Sequence, residues 1–591
     1  MRLASIIGLT LALVATGSHG QQASDRHAPE AGTGGAAPVQ AGKARDFMVV
    51  AAHPLAAEAG RAILAEGGSA ADALVAVQLV LGLVEPQSSG LGGGGFLLHW
   101  SAEAGRLITL DGRETAPAAA GPDLFLGADG KPLPFFAAVV GGRSVGTPAT
   151  LRLLEEIHRR AGRLPFERLL APAIALADAG FPVSPRLAAL IAAEGERLKH
   201  DGEAARYFFA ADGRPLAAGA VLRNPAYAET LRRIAEGGVD AFYSGEIADD
   251  IVARVTGDAL NPGALAESDL ENYKVIERNP VCAPAFGYDI CGMGPPSSGG
   301  IAVIQILSLA EAGGLGALAP GSAAAWRVIG EASRLAFADR ERWLADPAFF
   351  RVPANGLIAP GYLALRARLL DGTAAQGPVM PGPVPAGQPA QDSGHLAPLP
   401  GAGAGPDFPS TTQVVIRDAA GDVISYTGTI ENGFGSRLMV RGFLLNNELT
   451  DFSFAAADAA GLAVANRVEG GKRPRSSMAP TIVFRDGRPV LAIGSPGGSR
   501  IIGFVAQALI GHLVWGQDPA TALAAPHLLN RFGPFELEAG TAASDLAPGL
   551  QALGYRTEIT DLNSGLAAIA IGPDGLSGAA DPRREGAVAG Q

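Results

Sequence analysis

The chain has 591 residues, 48% of them apolar and only 18% charged, so it carries ample material for a core and global disorder is excluded. Its net charge of −12 argues against electrostatic capture of nucleic acid and does not favour anionic membranes. Length alone would allow several domains, although large α/β enzymes often form fewer, and the 80 Gly and 43 Pro predict many loops.

The amino terminus carries Arg2, an apolar run from about Ile6 to Val14, and the small residues Ala15, Gly17, Ser18 and Gly20. That pattern predicts a secretory signal peptide over residues 1–20, too short to span a bilayer, and hence an exported protein, periplasmic or secreted. No Cys follows the apolar run, so no lipid anchor to the membrane is expected. Residues 21–47, rich in Gly, Ala and Gln, read as a flexible leader. Pro54–Glu66 predicts an amphipathic helix stopped by Gly67-Gly68. Ser69 then caps a buried helix over Ala70–Leu83, with Asp72 completing the cap. Further helical patterns occupy about Thr147–Arg160, Phe166–Ala179, Ala323–Arg340 and Tyr362–Leu370. The two cysteines, Cys282 and Cys291, flank Phe286-Gly287-Tyr288. A disulfide between neighbouring strands and a pair of unbridged core thiols both fit that spacing, whereas a structural zinc site does not.

From Asp371 to Pro409 the chain is rich in Pro, Gly and Ala without sustained periodicity, which predicts a long mobile loop. Strand patterns dominate beyond it, with hairpin signals at Ala420-Gly421, Asp486-Gly487 and Asp574-Gly575. One helix, about Ser499–Trp515, is apolar nearly all round. Sheets flanked by buried helices imply a layered α/β architecture.

Thr411–Asp418 and Asp422–Glu431 read as the two strands of one hairpin. A three-residue turn, Ala419-Ala420-Gly421, favours positive φ at its last position, which glycine supplies. That register pairs 418 with 422 and therefore sets Thr429 across from Thr411, with Cβ atoms about 4.5–5.5 Å apart. Even positions Val414, Ile416, Ile424, Tyr426 and Ile430 form an apolar side facing a core. Odd positions Thr411, Gln413, Thr427, Thr429 and Glu431 gather polar groups on the other side, which an ordinary half-buried hairpin would leave in solvent. A threonine hydroxyl attacks well only with a base beside it, and its own α-amino group can be that base once the chain is cut before it.

Nearly everything from about Met48 to Arg584 resembles the γ-glutamyltransferase (glutathione hydrolase) precursors of the N-terminal-nucleophile hydrolase class. The ordered motifs are HPLAAEAGRAILAEGGSAADA, VEPQSSGLGGGGF, LDGRETAP, GMGPPSSGGI, STTQVVI, FLLNNELTDF, RPRSSMAPTIV, GSPGGSRI and ADPRR. The resemblance implies a four-layer αββα sandwich built from two subunits of one precursor, cut between Ser410 and Thr411. The larger subunit would span 48–410 and the smaller 411–591. It makes Thr411 the nucleophile, with Thr429 beside it, as the hairpin register does independently. Arg113 would bind the α-carboxylate of the donor, a role suited to a bidentate guanidinium. Ser476 and Ser477 would donate hydrogen bonds to the same group, and Glu448 and Asp451, with Glu431 nearby, would hold the α-ammonium. Gly497 and Gly498 would offer backbone N–H groups to the oxyanion. The implied partners are glutathione and other γ-glutamyl donors, with water, amino acids or dipeptides as acceptors. No cofactor or metal is called for.

The chain departs from the pattern in four places. Glu431 stands where several members have asparagine, Gln413 where Thr-Thr-His is common, and Glu448 in place of a glutamine. The segment from Asp451 to Ser476 is shorter than in members with an aromatic-tipped lid and holds no Tyr. A cephalosporin-type acylase for glutaryl groups is the alternative within the class. Glutaryl has no ammonium, so it would leave Glu431, Glu448 and Asp451 unpaired and repelling its carboxylate.

Two other motifs compete. Gly142-Arg143-Ser144-Val145-Gly146 matches a nucleophile elbow between an expected strand, Ala138–Val140, and a helix, so a secreted serine esterase using Ser144 is the reading from another mechanism. No further motif supplies its acid and histidine. Gly90-Leu91-Gly92-Gly93-Gly94-Gly95 spells a dinucleotide fingerprint but follows a helix and precedes a strand, the reverse of such a site, and reads as close backbone packing. An inert, uncut homologue with a binding role is a third class, disfavoured by the intact Thr411, Thr429, Arg113, Gly497 and Gly498.

Overall fold

The computed structural model describes residues 38–372, 379–383 and 410–591. The expected signal peptide, most of the expected leader and nearly all of the expected loop before Ser410 lie outside the described residues. In chain order, the strands of the two large sheets begin with β1 (Gln40–Ala44), β2 (Met48–Ala51), β3 (Gly94–Ser101), β4 (Arg106–Gly112), β5 (Ile276–Arg278), β6 (Val281–Ala285) and β7 (Tyr288–Gly292). They continue with β8 (Ser410–Arg417), β9 (Val423–Glu431), β10 (Thr481–Arg485), β11 (Arg488–Gly494), β12 (Ala567–Gly572), β13 (Gly575–Ala580) and β14 (Ala587–Gly590). One sheet runs β14-β2-β8-β9-β3-β4-β5 and the other β1-β13-β12-β11-β10-β7-β6.

Side-chain alternation assigns the layers. Val49, Ala51, Leu97, Val414, Ile416, Ile424 and Tyr426 face helices α1 (Pro54–Ala65) and α2 (Ala70–Val84) in one core. Val50, Phe96, Leu98, Val415 and Val423, on the opposite face of the same sheet, share a core with Ile482, Ala492 and Ile569 of the second sheet. That core continues through the second sheet to α3 (Gly299–Ala312), α4 (Ala323–Trp343) and α5 (Ile501–Leu509). The result is the expected αββα sandwich. Every residue of α2 is buried, and Ser69 and Asp72 form the expected reciprocal cap, at 3.2 and 2.8 Å.

The hairpin has the expected register: Thr411 pairs with Thr429, Gly421 turns at φ +95°, and Asp418 and Asp422 close the loop. Its polar face, however, is not solvated but lies between the sheets. The Thr427 hydroxyl donates to Gln413 Oε1 (2.6 Å), Gln413 Nε2 donates to Ser425 Oγ (3.1 Å), and Ser425 donates to the Ile493 carbonyl of β11 (3.0 Å). Alternation predicts a face but not its environment; here the polar groups satisfy one another, which is what makes their burial tolerable.

Three further expectations are corrected. Gln40–Ala44 is not leader but an edge strand along β13, where Gly42 lets it approach Val588. Ala138–Val140 is not a strand; the segment Phe135–Val139 is helical. The Ser499 helix is a 3₁₀ turn, then α5, then a π turn over Ile510–Val514. Cys282 and Cys291, opposite each other on β6 and β7, form a disulfide.

The glycine run acts through close approach. A Cβ at Gly92 would lie 2.2 Å from the Leu444 carbonyl oxygen, and one at Gly93 2.0 Å from that of Thr429. Gly93→Ala is therefore expected to destabilise the protein by about 1–3 kcal/mol and to displace β9 at Thr429, measured as a lowered denaturation midpoint together with slower chain cleavage.

Candidate active site

The site grows from the end of the hairpin. Pairing shifts between Ser410 and Thr411, so that Ser410 faces Glu431 while Thr411 faces Thr429, and Ile430 is the extra residue of a bulge. Glu431 takes up the turn with φ +76°, the left-handed region that asparagine enters more readily than glutamate. The bulge leaves the peptide between Ser410 and Thr411 facing a hydroxyl. Thr429 Oγ1 donates to the Ser410 carbonyl oxygen at 2.7 Å and accepts the Glu431 N–H at 2.8 Å. The Thr411 hydroxyl donates to Thr429 Oγ1 at 3.3 Å. A donor on that carbonyl stabilises the negative charge that develops when a nucleophile adds to it.

A cleft opens here, lined by Arg113, Thr411, Thr429, Glu431, Glu448, Asp451, Ser476, Ser477 and Gly498. Every side chain singled out for substrate recognition therefore meets the threonine pair in one place. Gly497 adjoins the cleft with φ +136°; a Cβ there would come within 2.7 Å of the Phe504 ring. Gly498, at φ +57°, begins the 3₁₀ turn leading into α5.

Arg113 is 1% exposed. Its Nη1 bonds Glu448 and its Nη2 bonds Asp451, while Nε and Nη2 also reach the Pro474 and Arg475 carbonyls at 3.2 and 3.1 Å. Burial alone would lower the pKa of this guanidinium, but Glu448 first and Asp451 second outweigh it and raise it. Glu431 is held by the Asn447 side-chain amide, which also bonds Thr450. Burial first, and Glu448 second, push the Glu114 carboxyl well above the ordinary carboxylate range, against the pull of Arg113. Glu114 is thus a neutral acid behind the cleft, and the formal charges facing it are Arg113 against Glu431, Glu448 and Asp451.

The competing elbow is inert. Ser144 is fully buried, and its hydroxyl donates to the Val139 carbonyl at 2.6 Å. Gly146 is pinned by Asn446, whose amide takes both its N–H and its carbonyl and also the Gly92 carbonyl. The sequence reading assigned no role to Arg584, whose Nη1 donates to the Thr411 carbonyl at 3.0 Å; the closing ADPRR motif was the available signal. Among the described residues there is no group of three or more His, Cys, Asp or Glu placed to hold a metal, and no helix long and apolar enough to cross a membrane.

A threonine at a strand start, between two antiparallel sheets with helices outside, defines an N-terminal-nucleophile hydrolase. The family model for gamma-glutamyltranspeptidase matches residues 56–591, and the chain belongs to that family. It is 36% identical over 556 residues to the glutathione hydrolase proenzyme of Bacillus subtilis strain 168, covering 92% of each chain. In structure it is similar to a cephalosporin acylase from Bacillus halodurans (TM-score 0.80, 26% identity, 93% of this chain and 97% of the other). It is also similar to the Helicobacter pylori gamma-glutamyltranspeptidase (TM-score 0.54, 33% identity, 58% of this chain and 96% of the other).

Two outcomes are expected. Thr429→Ala removes the donor to the Ser410 carbonyl and is expected to slow appearance of cleaved fragments about 100-fold or more, whereas Thr429→Ser, which keeps the hydroxyl, retains most of the rate on a denaturing gel. For Glu114, the unfolded chain releases its proton near 4.5 while the folded one keeps it to higher pH. Stability from this group therefore falls as pH rises through that window. Glu114→Gln, which mimics the neutral acid, is expected to gain thermal stability relative to the parent progressively from pH 4 to pH 8; a constant difference would contradict a neutral Glu114.

Proposed function

We propose that this protein cuts its own chain before Thr411 and then works as a γ-glutamyltransferase and glutathione hydrolase. In the precursor, the Thr411 hydroxyl adds to the Ser410 carbonyl carbon, its proton passing to the departing Thr411 nitrogen. The resulting ester is hydrolysed by water, leaving a carboxylate on Ser410 and a free α-amine on Thr411. The hydrogen bond from Thr429 to the Ser410 carbonyl supports this step. In the mature enzyme the amine, with an unperturbed pKa of about 7.7–8.0, takes the hydroxyl proton as Thr411 attacks a γ-glutamyl amide, and hands it to the leaving amine. Gly497 and Gly498 offer N–H groups to the oxyanion. Water or the amine of an amino acid or dipeptide then resolves the γ-glutamyl-Thr411 ester. The apolar segment near the amino terminus supports export to the periplasm or medium.

The observation that carries the choice of acyl group is the pairing of Arg113 with Glu448 and Asp451. A zwitterionic donor head adds no net charge: its carboxylate takes Arg113 with help from Ser476 and Ser477, and its ammonium offsets part of the charge of Glu448, Asp451 and Glu431. A glutaryl carboxylate would displace the acids from Arg113 and give them nothing in return, which costs several kcal/mol for a buried pair. The acylase likeness favours a glutaryl donor as the second reading.

Sequencing the amino terminus of the smaller fragment tests processing and nucleophile together: a start at Thr411 is expected, and Thr411→Ala is expected to remain one chain without activity. Comparison of γ-glutamyl- with glutaryl-p-nitroanilide tests the acyl group. Preference for the former by about 100-fold or more in kcat/KM is expected, and equal turnover would overturn the assignment.

A further inference from the structure

Arg340 lies on α4, far before Thr411 in the chain, and is 1% exposed. Its Nη2 donates to Ser477 Oγ at 2.6 Å and its Nε to Ser298 Oγ at 3.0 Å. Ser298 spends its own proton on the Ser476 carbonyl (2.6 Å), which also takes the Ser298 N–H (2.7 Å). Beside it, the Ser297 hydroxyl donates to the Met478 carbonyl at 2.6 Å. Arg340 and the Ser297-Ser298 turn thus brace from behind the Ser476-Ser477-Met478 stretch that lines the cleft.

The proton count on Ser477 follows from this brace. A guanidinium only donates, and a serine hydroxyl has one proton and two acceptor positions. With an Arg340 N–H on its oxygen, Ser477 cannot point its proton toward Arg340. It is set as a donor, and the charged bond behind it polarises the O–H further. Arg340 Nη1 also bonds Glu341 at 2.6 Å, so its contribution at the cleft is a directed hydrogen bond more than an unbalanced charge. Arg113 lines the same cleft.

We propose that Arg340 is the positioning residue of the carboxylate subsite: by holding Ser477 Oγ it fixes that hydroxyl as a donor to the carboxylate bound by Arg113, and so enforces acyl groups that end in a carboxylate. The identity of that group as γ-glutamyl rests on the function proposed above; the preference for a carboxylate does not.

The test compares two donors on the processed enzyme, γ-glutamyl-p-nitroanilide and 4-aminobutanoyl-p-nitroanilide, which keeps the amine and lacks the carboxylate. Arg340→Gln is expected to raise KM for the first roughly 10-fold or more with kcat changed only a few-fold, the size of a lost charged hydrogen bond, and to leave the second nearly unmoved. Arg340→Lys, which keeps the charge but not the two-pronged grip on Ser298 and Ser477, is expected to fall between. Adding Ser477→Ala to Arg340→Gln is expected to cost little more than either alone. Equal losses on both donors, or fully additive losses in the double variant, overturn the proposal. Should Arg340→Gln fail to yield two fragments, Arg340→Lys and Ser298→Ala carry the same comparison. If the parent enzyme prefers glutaryl-p-nitroanilide, the γ-glutamyl reading fails, and glutaryl- against butanoyl-p-nitroanilide reads Arg340 in the same way.

Discussion

A hydroxyl buried between two sheets must have its hydrogen bonds met by protein, and the Thr429 side chain meets its own in only one arrangement. It accepts from the Thr411 hydroxyl and the Glu431 N–H and donates to the Ser410 carbonyl. Each partner is delivered by a different feature of the hairpin: Thr411 by the register across Gly421, Ser410 by the pairing shift, and Glu431 by its positive φ. A flat, unbulged strand end would carry the Ser410 carbonyl into the ladder instead of toward Thr429. The geometry at the peptide before Thr411 is therefore a consequence of satisfying one buried oxygen.

Electrostatics governs the other end of the cleft by the same logic of satisfaction. Arg113 is buried with all three of its nitrogens engaged, two of them by carboxylates. Such pairs are poor sources of stability, because desolvation offsets most of the attraction. What they provide is a pre-arranged set of opposite charges, which a group carrying both signs would enter without changing the net charge of the cleft. Glu114 fits this account as a fourth acid, whose neutral form burial favours.

Much of this was legible in the chain, and what was not has identifiable causes. The three-residue turn ending in glycine fixed the pairing of Thr411 with Thr429, because hairpin geometry is local. The capping pair Ser69 and Asp72 was legible for the same reason. Alternation along β8 and β9 marked a polar face but could not say that a second sheet covers it, since Gln413, Ser425 and Thr427 look alike in water and between sheets until β11 is in place. Ala138–Val140 has the composition of a strand, yet a three-residue run is too short for periodicity to separate strand from the helix Phe135–Val139. Arg340 and Arg584 carry no local signal of their contacts, because Ser477 and Thr411 lie 137 and 173 residues away. The ADPRR motif marked Arg584 without direction, and no motif marked Arg340.

The strand order shows how the proposed cut before Thr411 would leave the two segments joined. In one sheet β8 is flanked by β2, from the preceding segment, and by β9; β9 in turn is flanked by β3, again from the preceding segment. β14, at the very end of the chain, lies on the far side of β2. In the other sheet β1 pairs with β13, and β10 pairs with β7. Both segments thus contribute strands to both sheets, and separating them would expose the inter-sheet core and break several ladders at once. The disulfide lies wholly within the earlier segment and joins nothing across the cut. Cohesion after cleavage must then come from the shared sheets. The same interleaving places Arg113, Arg340 and Ser298 from one segment against Ser476, Ser477 and Thr411 from the other, so the cleft exists only where the two remain together.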